Sequence, residues 1–317
     1  MSLQLGSLFT VVVSSETTAK EVLKQQDLVF CNRTVPDALR ACQFIDFGLS
    51  FMPVSPLWRT LRKVCVIHLF SNLKLDANQY LRREKIQELI GNVRKSCLKG
   101  EAINIGQAAF DATINLLSNS IFSMDLVDPN SFHATINHEA WVPNLADYIP
   151  LLRKFDPQGL RRRMTVYFEK QLVLFGNMFD ERLESRKSKG STASNDVLDT
   201  LIDIVEDGSQ VLVNAWAIGR DPSIWENPDD FMPERFLGSK IDVKGTDFGL
   251  IPFGGGRRIC PGLPLANRML HLILGSLVNY FDWKLGDGIS SNNTNMEEKS
   301  GLTVKMAKPL LAIPVVV

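Results

Sequence analysis

Phe253-Gly254-Gly255-Gly256-Arg257-Arg258-Ile259-Cys260-Pro261-Gly262 is the stretch on which the reading of this chain turns. One cysteine sits among glycines, after two arginines and directly before an apolar helical pattern. Glycine has no Cβ, so backbone comes close to a ligand there. A loop that ends at a helix N-terminus offers unpaired N–H groups and the positive end of the peptide dipole. Both favour the thiolate of Cys260, the form that binds metal. Arg258 stands two residues earlier, placed to meet a carboxylate of the same ligand. The plainer alternative is a glycine turn around a small buried hydrophobe. Five fixed positions in F-x-x-G-x-R-x-C-x-G weigh against it.

That spacing resembles the cysteine loop of the cytochrome P450 family. The resemblance implies that Cys260 is the axial ligand of a haem b iron, cradled by Phe253, Gly254, Gly256, Arg258 and Gly262. A second match lies at Ser55-Pro56-Leu57-Trp58-Arg59-Thr60-Leu61-Arg62-Lys63. Ser55 suits an N-cap and Pro56 the first helical position. Trp58 and Arg62, four apart, share one helix face. They fit the family's W-x-x-x-R motif, which implies that both hydrogen-bond a haem propionate. Arg59 and Lys63 lie on another face and, with Arg257, are expected to form a basic surface for an electron donor.

Bulk properties leave room for this reading. The 317 residues include 45% hydrophobic and 22% charged, enough for a sizeable core. Thirty-five basic and 35 acidic residues cancel, so charge gives no pointer to nucleic acid. Five scattered cysteines without a C-x-x-C pair argue against disulfide and zinc frameworks. His68, His133, His138 and His271 form no plausible metal set. No apolar run reaches the roughly 18 residues of a membrane span. Full-length relatives associate with the endoplasmic reticulum membrane, on its cytosolic face, through an N-terminal anchor. The resemblance implies that location here too, with the cytosol as the alternative because no anchor is read in this chain.

From the N-terminus, Ser2 to Val13 reads as two short strands around Gly6, and Ser14 or Ser15 caps a helix to about Gln25. Phe44, Phe47, Leu49 and Phe51 are candidate substrate-pocket residues or packing residues alike. Asp76 to Leu98 and Ile105 to Phe122 have helical periodicity. Asp111-Ala112-Thr113 superficially matches the family's oxygen-activating acid–threonine pair, but its surroundings fit a structural helix. The segments around Asn144–Tyr148 and Asp156–Met164 resemble a plant microsomal subgroup of terpenoid hydroxylases that includes geraniol 8-hydroxylase. Arg161-Arg162-Arg163 reads as a solvated helix start, its helix running to about Lys187 before a Ser/Lys/Gly-rich linker.

Asp196–Leu201 resembles the family segment just before the long central helix, and Gly208–Trp216 a strand well after it. Nothing lies between them. The A/G-G-x-D/E-T-T/S motif is missing, and no glutamate is followed three residues later by arginine, so E-x-x-R is missing too. Pro233-Glu234-Arg235-Phe236 matches P-E-R-F, which leaves Arg235 without its expected partners. After the cysteine loop, Leu265, Met269, Leu272 and Ser276 follow helical spacing to Tyr280, and Leu302 and Thr303 are expected near the pocket mouth.

The expectation is therefore one mainly α domain over residues 1–317 with small peripheral β-sheets. It comprises a block 1–207 and a block 208–317 joined across an internal deletion at about 207–211. The resemblance implies a haem-thiolate monooxygenase that inserts oxygen from O₂ into a small hydrophobic, terpenoid-like substrate. Electrons come from NADPH through NADPH-cytochrome P450 reductase. No catalytic distal residue is identifiable. The alternative is a non-catalytic splice or gene-model remnant.

Overall fold

Gly6 holds a left-handed φ of 60°, and a Cβ there would stand 2.2 Å from the Tyr148 carbonyl oxygen. Only glycine makes that reversal, and it produces the hairpin read from the sequence. The computed structural model describes residues 1–43, 48–122, 125, 144–188, 211–285, 296–299 and 304–316. Its strands are β1 (Ser2–Leu5), β2 (Leu8–Val13), β3 (Ile103–Asn104), β4 (Val211–Val213), β5 (Phe281–Leu285), β6 (Glu298–Lys299), β7 (Lys305–Met306) and β8 (Leu311–Val316). Its helices are α1 (Glu16–Lys20), α2 (Asp27–Phe30), α3 (Pro56–Val64), α4 (Asn72–Ala77), α5 (Gln79–Lys99), α6 (Ile105–Phe122), α7 (Leu145–Tyr148), α8 (Leu160–Ser188), α9 (Ala215–Ile218) and α10 (Leu263–Tyr280). The fold is mainly helical with small sheets, as expected.

The residues divide into two compact units. The first takes residues 1–63, 143–166 and 201–263. Its sheet runs β1-β2-β4, with β1 antiparallel to β2 and β2 parallel to β4 in the register Val11↔Val211 to Val13↔Val213. Ser15 Oγ accepts the Thr18 N–H and starts α1, which continues as a wider turn through Gln25. Val13, Ala19, Val22, Ile218, Phe248 and Ile251 close over that sheet. Met52, Leu57, Trp58 and Leu61 pack separately under α3.

The arginine run at the start of α8 is more than a solvated face. Asp156 accepts the N–H groups of Arg161 (3.3 Å) and Arg162 (3.0 Å), and Arg161 lies 3.6 Å from the buried Asp37. Burial alone would raise the Asp156 pKa. Hydrogen bonds from the Arg162 and Arg161 N–H groups and from the Arg162 side chain outweigh it and hold Asp156 below the usual carboxylate range.

The second unit takes residues 64–142, 167–200 and 264–317. Leu89, Ile90 and Val93 of α5 and Leu116 of α6 enclose its core with Met269, Ile273 and Leu277 of α10 and Phe281 of β5. Strands β3-β8-β5 are all antiparallel. One sequence reading needs correction here. The helix expected from Asp76 to Leu98 breaks at Asn78, whose φ/ψ of −89°/19° lies outside the helical range, so α4 and α5 are distinct. Gly100 then ends α5 at φ 68°. On α10 the buried positions are Leu265, Met269, Ile273 and Leu277, a strict four-residue step; Leu272 is exposed, and Ser276 is not among the buried residues.

Candidate cofactor site

Within the first unit, α3 and the cysteine loop border one cavity of ≈ 250 Å³. Ser55 Oγ accepts the Trp58 N–H (3.1 Å) and fixes the start of α3, as its sequence predicts. Trp58 and Arg62 project from α3 to the cavity, where they join Phe253, Arg258, Cys260 and Pro261 of the loop, with Arg33, Leu49 and Ser50. The loop is tied across its neck by the Cys260 N–H on the Phe253 carbonyl (3.0 Å). Gly254 and Gly256 hold φ of 73° and 64°. A Cβ on Gly256 would stand 1.6 Å from the Leu23 carbonyl oxygen, so only glycine closes this turn against α1's extension. A Cβ on Gly254 meets nothing within 4 Å. Gly262 leads into α10.

Three guanidinium groups converge on the cavity. Arg258 donates to the carbonyls of Cys31, Leu49 (3.4 Å) and Met52 (2.6 Å). Arg62 donates to the Ile259 carbonyl, and Arg33 to that of Ser50 (3.0 Å). Arg258 and Arg62 stand 5.0 and 5.9 Å from the Trp58 ring centre, so the indole face carries two cations. Burial first, then the charge of Arg33, pulls the Arg258 pKa down to about 10 against a partial lift from Cys31, and Arg62 lowers it further. Burial lowers that of Arg33 also. No acidic side chain lines the cavity among the described residues.

Of the eight residues the sequence reading named, Trp58, Arg62, Phe253, Arg258 and Cys260 border this cavity, whereas Gly254, Gly256 and Gly262 do not line it. That reading missed Arg33, which sits 25 residues before Trp58 in a stretch with no helical period to mark its direction. The indole N–H of Trp58, expected to point at a propionate, donates to the Leu49 carbonyl (3.1 Å). Leu49 lines the cavity, and Phe51 is buried outside it. Phe44, Phe47, Leu302 and Thr303, together with the junction at 207–210, lie outside the described residues.

Arg235 is not stranded. Its guanidinium collects the carbonyls of Glu226 (2.8 Å), Asn227 (2.8 Å), Asp230 (3.1 Å) and Met232 (3.2 Å). Five fixed donors in one plane suit such a cage, whose acceptors are backbone and invisible to motif reading. Arg59 and Lys63 are exposed as expected, but Arg257 is paired with Asp27 at 3.1 Å, which removes it from a free basic surface. In α6, Thr113 donates to the Ala109 carbonyl and Asp111 accepts from Gln107, so both serve the helix itself.

Comparison with known proteins agrees. The family profile Cytochrome P450 matches residues 1–207 and 203–311. Geraniol 8-hydroxylase of Catharanthus roseus is 41% identical over 428 residues, covering 99% of this chain and 86% of that enzyme. Drimenol monooxygenase of Persicaria hydropiper is 38% identical over 428 residues, covering 99% and 85%. A zebra fish cytochrome P450 structure with progesterone has a TM-score of 0.67 at 18% identity, covering 99% of this chain and 96% of that one. The chain has 317 residues, so the 428-residue alignment leaves at least 111 positions without a residue here.

The chain belongs to the cytochrome P450 family. By family it is a monooxygenase whose cofactor is haem iron, served by a redox partner and acting on a small hydrophobic substrate. The residues present fit that cofactor. One sulfur and three cations with no acidic neighbour complement a metal macrocycle that carries two carboxylates. No described helix is long and apolar enough to cross a membrane.

Proposed function

We propose that residues 1–63 and 253–262 hold the haem of a terpenoid hydroxylase, with Cys260 as the iron ligand. The carrying observation is the cavity that unites Cys260 with Arg33, Arg62 and Arg258 and has no acidic lining. Such partly dehydrated cations gain most from an anion, here the propionates. Trp58 backs the guanidinium groups of Arg62 and Arg258, Phe253 shields the sulfur side, and Gly254, Gly256 and Gly262 leave the loop its close approach. Bound haem with a thiolate ligand supplies activation of O₂ for oxygen insertion at a C–H bond. The named relatives point to a monoterpenoid or sesquiterpenoid alcohol as substrate. Arg59 and Lys63 offer a salt-sensitive landing for NADPH-cytochrome P450 reductase at the endoplasmic reticulum membrane.

The reading includes an internal omission at about 207–211. The split family match and the 111 skipped positions support it, as does the lack of both the acid–threonine and the E-x-x-R motifs. General acid–base relays are worth about 10²- to 10⁴-fold in rate. The chain alone, loaded with haem and given reductase, NADPH and geraniol, is therefore expected to form no hydroxylated product. Hydroxylation that Cys260→Ser abolishes would overturn the omission. The ligand assignment is tested separately, by the spectrum of the reduced carbon monoxide adduct. Cys260→Ser should lose the thiolate-type Soret band, and a variant that keeps it would remove Cys260 from the iron.

A further inference from the structure

Inside the second unit, α4, α5, α6 and α10 meet around a cavity of ≈ 10 Å³. It shares no lining residue with the cofactor cavity. Phe70, Leu75, Leu116 and Leu265 give it apolar walls. Asn78, just ahead of α5, and Ser120 of α6 add neutral polar groups. Arg82 of α5 is the one charged residue lining it among the described residues, and it is 4% exposed. One terminal nitrogen of Arg82 donates to the Leu75 carbonyl. Its Nε–H is buried and has no acceptor. A charged donor buried in that state is costly unless something completes it.

The charges around the cavity do not balance. Arg268 of α10 and Asp76 of α4 both act on Arg82, and Asp76 already pairs with Arg268. Two cations therefore share one carboxylate, which leaves an excess of one positive charge beside apolar walls. Burial first, then the charge of Arg268, lowers the Arg82 pKa, and Asp76 lifts it in part. The cavity also opens by Asn78 at the N-terminal end of α5, where the helix dipole favours negative charge. We propose that this cavity binds one small monovalent anion of halide size, chloride, on the Arg82 Nε–H. The volume admits a single water-sized particle and excludes sulfate or phosphate. A water would meet the Nε–H but leave the excess charge in place. The bound ion ties α5 to α4, α6 and α10, so its effect is on the stability of this unit.

The test uses the full chain, with bromide and chloride as probes. In crystals soaked in sodium bromide, an anomalous difference map should show a peak within hydrogen-bonding reach of Arg82 Nε. In solution, the ionic strength is held constant by exchanging chloride for gluconate. Anything bound by the folded state alone raises its stability with concentration. One halide site should therefore lift the melting temperature by about 2 °C per tenfold rise in chloride above its Kd. Arg82→Met, which keeps the length of the side chain without its charge, should lose that slope. Equal slopes for the parent and Arg82→Met overturn the proposal. So does water alone at Arg82, or a bromide peak confined to the cavity beside Arg258. If Arg82→Met fails to fold, the bromide map of the unsubstituted chain still decides.

Discussion

The cysteine loop and the helix that follows it are consecutive in sequence and opposite in condition. In the loop, the turn residues have their partners: the Cys260 N–H meets the Phe253 carbonyl, Gly256 lies against Leu23, and Arg258 holds three distant carbonyls. On α10, one apolar stripe (Leu265, Met269, Ile273 and Leu277) is covered, and its bare neighbour (Leu270, Leu274 and Val278) faces water. Polar completeness can be met by whatever stretch of chain lies alongside, since every residue carries a backbone carbonyl. Apolar coverage needs a second element of the right length. Under the proposed omission, apolar surface is therefore left uncovered sooner than charge is left unpaired. Arg235 makes the same point, caged by four carbonyls although its family partners are missing.

The sharpest way to break the comparison is at Gly256. Alanine there adds a clash with the Leu23 carbonyl to a left-handed φ, and should cost more than about 3 kcal/mol and remove haem binding. Thermal melting and a haem titration read both, and a stable, haem-binding Gly256→Ala would show that the loop is not pinned as described. On the covered stripe, Ile273→Ala should cost roughly 2–4 kcal/mol in denaturant unfolding. On the loop side, Arg258→Ala leaves buried carbonyls unpaired and should cost about 1–3 kcal/mol while weakening haem binding. A smaller effect is expected at Asp156, whose depressed pKa stabilises the fold above the unfolded-state value of about 3.9. That contribution is lost as pH falls through the folded-state value. Asp156→Asn should therefore cost about 1 kcal/mol at neutral pH and converge with the parent in acid. The least effect belongs to the bare stripe: Leu274→Ala should stay within about 0.5 kcal/mol. If Leu274→Ala cost as much as Ile273→Ala, the two stripes would not differ as described.

What could be read beforehand was whatever the sequence writes locally. Ser55-Pro56 announces α3, Gly6 announces the hairpin, and the period of Ile105–Phe122 gives α6 to the residue. The loop's five fixed positions likewise gave Cys260 and Arg258. Features set by backbone acceptors were not legible. Arg33 reaches the cavity from a stretch without period, the Trp58 indole turns to the Leu49 carbonyl, and Arg235 finds acceptors that no side chain advertises. The spacing of α10 announced the helix to Tyr280 but not which of its faces is buried. Its apolar arc is wide enough that sequence alone cannot tell which part the core takes.

Arg258 also bears on the order of folding. Its bonds to Cys31 and Met52 span 227 and 206 residues, and that of Arg62 to Ile259 spans 197. Contacts so far apart repay the entropy of loop closure only after most of the chain is in place. The pairing of α5 with α6, neighbours in sequence, carries no such delay. In a refolding experiment the helical signal should return well before the chain can take up haem. The cofactor then acts as a late latch, drawing together two stretches of chain synthesised two hundred residues apart.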